Sequence, residues 1–68
     1  MRNWSYAVLT SGPFDHATRK FHYHLDGRLI QVDGLSEALN NLGTDGWELV
    51  AAEPGDDETN YIFKQAVE

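Results

Sequence analysis

Leu35, Ala38, Leu39 and Leu42 recur at i, i+3, i+4 and i+7, then Gly43-Thr44-Asp45-Gly46 interrupts the pattern and Trp47-Glu48-Leu49-Val50 begins a strand. This block constrains the fold more than any other stretch. The spacing puts four apolar side chains on one helical stripe, with Ser36, Glu37, Asn40 and Asn41 on the opposite side. Asp33 is the expected N-cap, because its carboxylate can accept an orphan amide, and Glu37 suits the positive end of the helix dipole. Gly43 is the expected C′ residue, where a left-handed backbone favours glycine. A helix this short is unstable alone in water, so its stripe must press on a sheet.

The sheet is read from alternation. Trp4, Tyr6, Val8 and Thr10 fall on one face of a first strand and Ser5, Ala7 and Leu9 on the other. Ser11-Gly12-Pro13 is expected to stop that strand, leaving residues 13–18 as a loop. Residues 19–24 form a second strand, with Phe21 and Tyr23 opposite Lys20, His22 and His24. Leu25-Asp26-Gly27-Arg28 is an Asp-Gly turn, and residues 29–32 are either the second arm of a hairpin or a lead into the helix. After the helix, residues 46–52 alternate as Trp47, Leu49 and Ala51 against Glu48, Val50 and Ala52. A polar Pro-Gly loop then separates that strand from a last one over residues 60–65. The expected fold is α+β: a single domain over residues 1–68 with a small antiparallel sheet of about four strands, in chain order β-β-α-β-β, and one short helix on one face.

Composition narrows what such a domain does. A chain of 68 residues is one domain, and a domain near this size buries only about 60% of the surface its unfolded form exposes. It has no cysteine, which removes disulfides and thiolate zinc sites as reinforcement and leaves oligomerisation. The opening Met1-Arg2-Asn3-Trp4-Ser5 has no apolar run behind a basic segment, so a cytoplasmic location is expected. No apolar stretch approaches the roughly 20 residues that span a bilayer. The net charge of −6 sets a field that repels nucleic acid and anionic membrane, so neither is an expected partner.

The order W-x-Y in the first strand, L-N-N-L-G before the turn, G-W-E-L-V after it and a closing Tyr61-Ile62-Phe63-Lys64 resembles the small bacterial family known as domain of unknown function 4177. The resemblance covers nearly the whole chain except residues 19–32. It implies a β-rich α+β domain with one helix on one sheet face, and no reaction, cofactor or catalytic residue.

Several groupings carry possible chemistry. Arg19 and Arg28, with Phe21 and Tyr23, combine guanidinium forks and rings that could hold a nucleotide-like anion at a subunit interface; the competing role is solubility in an acidic chain. His22, His24 and Asp26 have the i, i+2, i+4 spacing of a metal site on one strand face, with His16 as a fourth ligand; the alternative is a solvated face with Asp26 taken up by the turn. Ser11, Asp15 and His16 contain triad residue types but lie in a loop without an oxyanion hole. Asp56-Asp57-Glu58 lacks the ligand spacing of a calcium loop, and the 43–46 turn lacks the lysine of a P-loop. Trp47, Gly43 and Gly46 are read as structural anchors.

The pattern therefore favours a non-enzymatic accessory domain without a cofactor. The first strand is apolar on both faces, and one helix covers only one side of a sheet. The uncovered face or an edge is expected to be filled by another copy of the chain, with a different protein as the other candidate.

Overall fold

The computed structural model describes residues 3–67, which form five strands and one helix. In chain order these are β1 (Asn3–Asp15), β2 (Lys20–Leu25), β3 (Arg28–Ile30), α1 (Leu35–Thr44), β4 (Glu48–Pro54) and β5 (Thr59–Val67). They build one antiparallel sheet in the order β3-β2-β1-β5-β4, so the architecture is α+β. The short β3 raises the strand number above the four expected and changes the chain order to β-β-β-α-β-β. It forms because Asp26 and Gly27 both take positive φ, +50° and +82°, which gives a two-residue turn whose twist matches the flanking strands.

The helix lies on one face. Leu9 is fully buried there, with Tyr23, Ala38, Leu42 and Phe63 around it and Leu35, Leu39, Trp47 and Tyr61 at the margin. No polar or charged side chain is buried among the described residues. The stripe at i, i+3, i+4 and i+7 thus meets the sheet as its spacing requires.

Both helix ends differ from the sequence expectation. The N-cap is Gly34, with no side-chain cap, and the Asp33 amide instead donates to the Glu37 carboxylate at 2.8 Å. The capping carboxylate therefore comes from inside the first turn, which suits the helix dipole equally well. At the other end Gly43 is helical, and the left-handed residue is Gly46, at φ +89°. The Gly46 amide donates to the Gly43 carbonyl and the Trp47 amide to the Leu42 carbonyl, at 3.0 and 2.9 Å. This paired closure is the Schellman arrangement, displaced by three residues because Thr44 and Asp45 can still wind helically.

Gly12-Pro13 does not end β1. The strand runs on to Asp15 through a bulge: Ser11 pairs with Tyr23 and Phe14 with Phe21, so Gly12 and Pro13 together stand opposite His22. A bulge leaves a residue unpaired, which accommodates a proline without an amide. It also returns Phe14 to the face of Phe21, and the two rings meet edge to face at 5.0 Å. Gly12 has φ +121°, and a Cβ there would stand 2.5 Å from the Asp57 carbonyl oxygen and 2.9 Å from the Glu58 Cα. The hairpin arm is therefore locked to the β4–β5 loop by backbone approach.

A second bulge at Val50 overturns the expected alternation in β4. Leu49 pairs with Phe63, but Ala51 pairs with Ile62 and Ala52 with Tyr61. Ala52, not Ala51, consequently shares the face of Leu49.

Gly43 and Gly46, three positions apart, give opposite outcomes when replaced by alanine. Gly43→Ala should stabilise the chain by about 0.5–1 kcal/mol, because position 43 is exposed, helical and open to a Cβ. Gly46→Ala should destabilise it by about 1–2 kcal/mol through its positive φ. Gly12→Ala should cost about 2 kcal/mol or more, since both conformation and space oppose it. Urea unfolding followed by tryptophan fluorescence measures all three.

Candidate interaction surface

The face away from the helix carries the first strand's aromatics. Across the sheet, Val8 lies beside Ile62 and Ala51, Tyr6 beside Lys64 and Glu48, and Trp4 beside Ala66. Trp4, Tyr6 and Val8 are 42%, 62% and 36% exposed. A row of Leu29, His24, Thr10, Asn60 and Glu53 borders the patch, and the Thr10 hydroxyl donates to the Asn60 side-chain oxygen at 2.7 Å. The Lys64 ammonium sits 4.3 Å from the Trp4 ring centroid, a cation–π contact between β5 and β1. This face sets Trp4, Tyr6, Val8, Ile62 and Ala51 beside the charged pair Lys64 and Glu48, with a largely polar row along one border.

The residues proposed to hold an anion are not brought together. Arg19 stands in the β1–β2 turn at φ +59°, whereas Arg28 opens β3 beyond the far end of β2. Those ends are about 20 Å apart for a six-residue strand. Tyr23 is 6% exposed, packed into the core with only an edge on the neighbouring groove, while Phe21 is half exposed against Phe14. A groove of about 370 Å³ does run beside Lys20, Phe21 and His22, but Asp33 and Glu37 also line it and oppose an anion.

The histidines are similarly dispersed. His22 Nε2 lies 3.2 Å from Asp15 Oδ2, His16 packs edge-on to Phe14 at 5.0 Å, and His24 belongs to the rim of the open face. Asp26 is used by the turn: its carboxylate accepts the Val8 amide at 2.9 Å and its own amide donates to the Val8 carbonyl at 2.8 Å. Among the described residues no group of three or more His, Asp and Glu side chains is placed to share a metal ion. Trp47 packs at the core margin, and Gly46 rather than Gly43 supplies the special backbone of the helix stop.

The Asp15–His22 pair was not anticipated from sequence. It follows from β1 running through its bulge, which sets Asp15 opposite Lys20 and next to His22 on the open side. The near-mirror order Phe14-Asp15 and Lys20-Phe21 around a four-residue turn was the available signal. Asp15 also accepts the Ala17 amide at 2.9 Å.

Compared with protein-family models, characterised proteins and solved structures, the chain finds no match in any of the three. Among the described residues no helix is long and apolar enough to cross a membrane.

Asp15 gives a pH prediction. The Ala17 amide, and secondarily His22, hold its carboxyl below the ordinary value of 3.8. A depressed carboxyl contributes stability that is present above the ordinary value and is lost as pH falls through the lower folded one. Carboxyl-carbon NMR should show Asp15 titrating below 3.8, and Ala17→Pro, which removes the donor, should move the midpoint upward. Equal midpoints in the two chains would contradict this assignment.

Proposed function

We propose that this chain is a non-enzymatic accessory domain of the domain of unknown function 4177 family, and that it acts by assembling with copies of itself. One observation carries this reading. The sheet face opposite the helix exposes Trp4, Tyr6 and Val8 around Ile62 and Ala51, and nothing among the described residues covers it. Large contiguous apolar surface on a small domain marks a contact site. A chain this small also gains from association, because the buried core among its described residues comes down to six side chains.

The non-enzymatic part rests on the polar groups. Catalysis depends on polar side chains fixed and desolvated ahead of the reaction. Here the described residues bury none, and the closest acid–histidine pair, Asp15 with His22, lies on an exposed arm. The separation of Arg19 from Arg28 and the burial of Tyr23 leave the anion-binding reading without a supporting observation.

Gel filtration with light scattering should return a dimer or larger species at tens of micromolar, and a monomer at that concentration would overturn the reading. Tyr6→Glu should shift the species towards monomer while far-ultraviolet circular dichroism stays unchanged, because position 6 is exposed on the face away from the helix.

A further inference from the structure

The sheet is staggered, and the stagger opens an edge in its middle. β2 and β3 turn back at Asp26 and Gly27, where Asp26 exchanges hydrogen bonds with Val8. β1 continues past that turn to Asn3 with β5 on one side only. The Val8 amide and carbonyl both point to the Asp26 side. Backbone groups alternate sides along a strand, so the amides and carbonyls of Tyr6 and Trp4 point to that side as well. Among the described residues nothing pairs with them.

The other open edges are poor templates for self-pairing. β4 is exposed along its whole length, but it carries Glu48, Glu53, Pro54 and the bulge at Val50. An antiparallel copy centred on it would set Glu48 against Glu53 in a chain already at −6. β3 is three residues long and begins with Arg28. β2 past β3 begins with Lys20. Residues 3–7, Asn-Trp-Ser-Tyr-Ala, contain no charge, proline or glycine.

We infer that two copies of this chain pair antiparallel through residues 3–7 of β1, about a twofold axis at Ser5, joining their five-stranded sheets into one. This rests on the self-assembly reading and names its contact. In this register Trp4 of one copy exchanges backbone hydrogen bonds with Tyr6 of the other, and the reverse, which gives about four bonds. Other registers lose pairs: one centred on Tyr6 would set position 4 against Val8, whose groups Asp26 already holds. The centred register also places the Trp4 indole beside the partner copy's Tyr6 ring on the open face. Cross-strand aromatic pairs of this kind stabilise antiparallel sheets and would cover the two most exposed rings of the patch. Uncharged edges allow two acidic chains to approach, which a charged contact of like sign would oppose. With the axis perpendicular to the sheet, both helices lie on the same side of the joined sheet.

Ser5 faces itself across the axis at a position without hydrogen bonds, where Cβ atoms approach to about 4.5–5.5 Å. A small adjustment brings that within reach of a disulfide. The chain has no cysteine, so Ser5→Cys introduces a single one. Under mild oxidation, Ser5→Cys should form a covalent dimer on a non-reducing gel, with at least about tenfold less from Val50→Cys on the β4 edge or Val8→Cys on the open face. Tyr6→Pro provides the second test, because it removes an amide that faces only the open edge and spares the β1–β5 ladder. It should weaken association roughly a hundredfold with the circular dichroism unchanged. If native mass spectrometry finds the parent chain oligomeric while Ser5→Cys does not cross-link, the β1 contact is overturned and self-assembly stands. A folded Tyr6→Pro chain that remains a dimer overturns the contact equally. A monomeric parent chain overturns both readings.

Discussion

One ten-residue helix has to cover a five-stranded sheet. Such a helix is about 15 Å long, and neighbouring strands are about 4.8 Å apart, so it spans the middle of the sheet and leaves the margins bare. The consequences are visible residue by residue. Leu9 on the central strand is fully buried, with Tyr23 of β2 and Phe63 of β5 buried on the strands beside it. Leu49 on β4 shares the face of the helix yet remains about half exposed, because the helix does not reach that far. Phe14 and Phe21 sit on the same face beyond its other limit and pack against each other instead.

The same constraint makes backbone devices matter more than core volume. Bulges at Gly12-Pro13 and at Val50 choose which side chains face the helix, and the close approach of Gly12 to Asp57 and Glu58 ties the protruding hairpin to the opposite loop. The helix itself is fixed at both ends by backbone closure: Glu37 reaches back to the Asp33 amide, and Gly46 and Trp47 close on Gly43 and Leu42. Gln65 adds a side-chain bond to the Asp45 carbonyl, so the last strand holds the helix stop in place. None of these contacts buries a large area. Each instead removes an alternative register or direction, which a small core alone would leave open.

What could be read from the chain follows from which signals are periodic. The helical stripe, the strand alternation in β1 and β2 and the Asp-Gly turn rest on repeated or strongly coded residues, and each is where the spacing puts it. The helix caps and the two bulges rest on single residues whose choice depends on neighbours far away in sequence. Gly12-Pro13 reads locally as a stop; only the pairing of Phe14 with Phe21 shows it to be a bulge. Gly43 reads locally as the left-handed stop, and Gly46 takes that place because Thr44 and Asp45 continue the turn. For the candidate surface, the two-sided apolarity of β1 was legible, whereas the distance between Arg19 and Arg28 was not. Closeness in sequence across a hairpin says nothing about which end of it each residue occupies.

The open face and the open edge have one origin. β1 is the longest strand, and its partners on the two sides are displaced along it: β5 pairs with residues 3–11 and β2 with residues 9–15. That displacement stretches the domain to 48 × 22 × 17 Å and exposes the β1 edge where β2 has not yet begun. An edge in the centre of a sheet is unusual for a stable monomer, since its unpaired backbone groups invite another strand. Proteins blunt such edges with charge, proline or distortion, and β4 of this chain has all three. β1 between Asn3 and Ala7 has none, and it places two aromatic rings on the uncovered face at the same point. A chain that protects one edge and leaves another uncharged and aromatic has distinguished the two, and the physical difference between them is what permits association at the second.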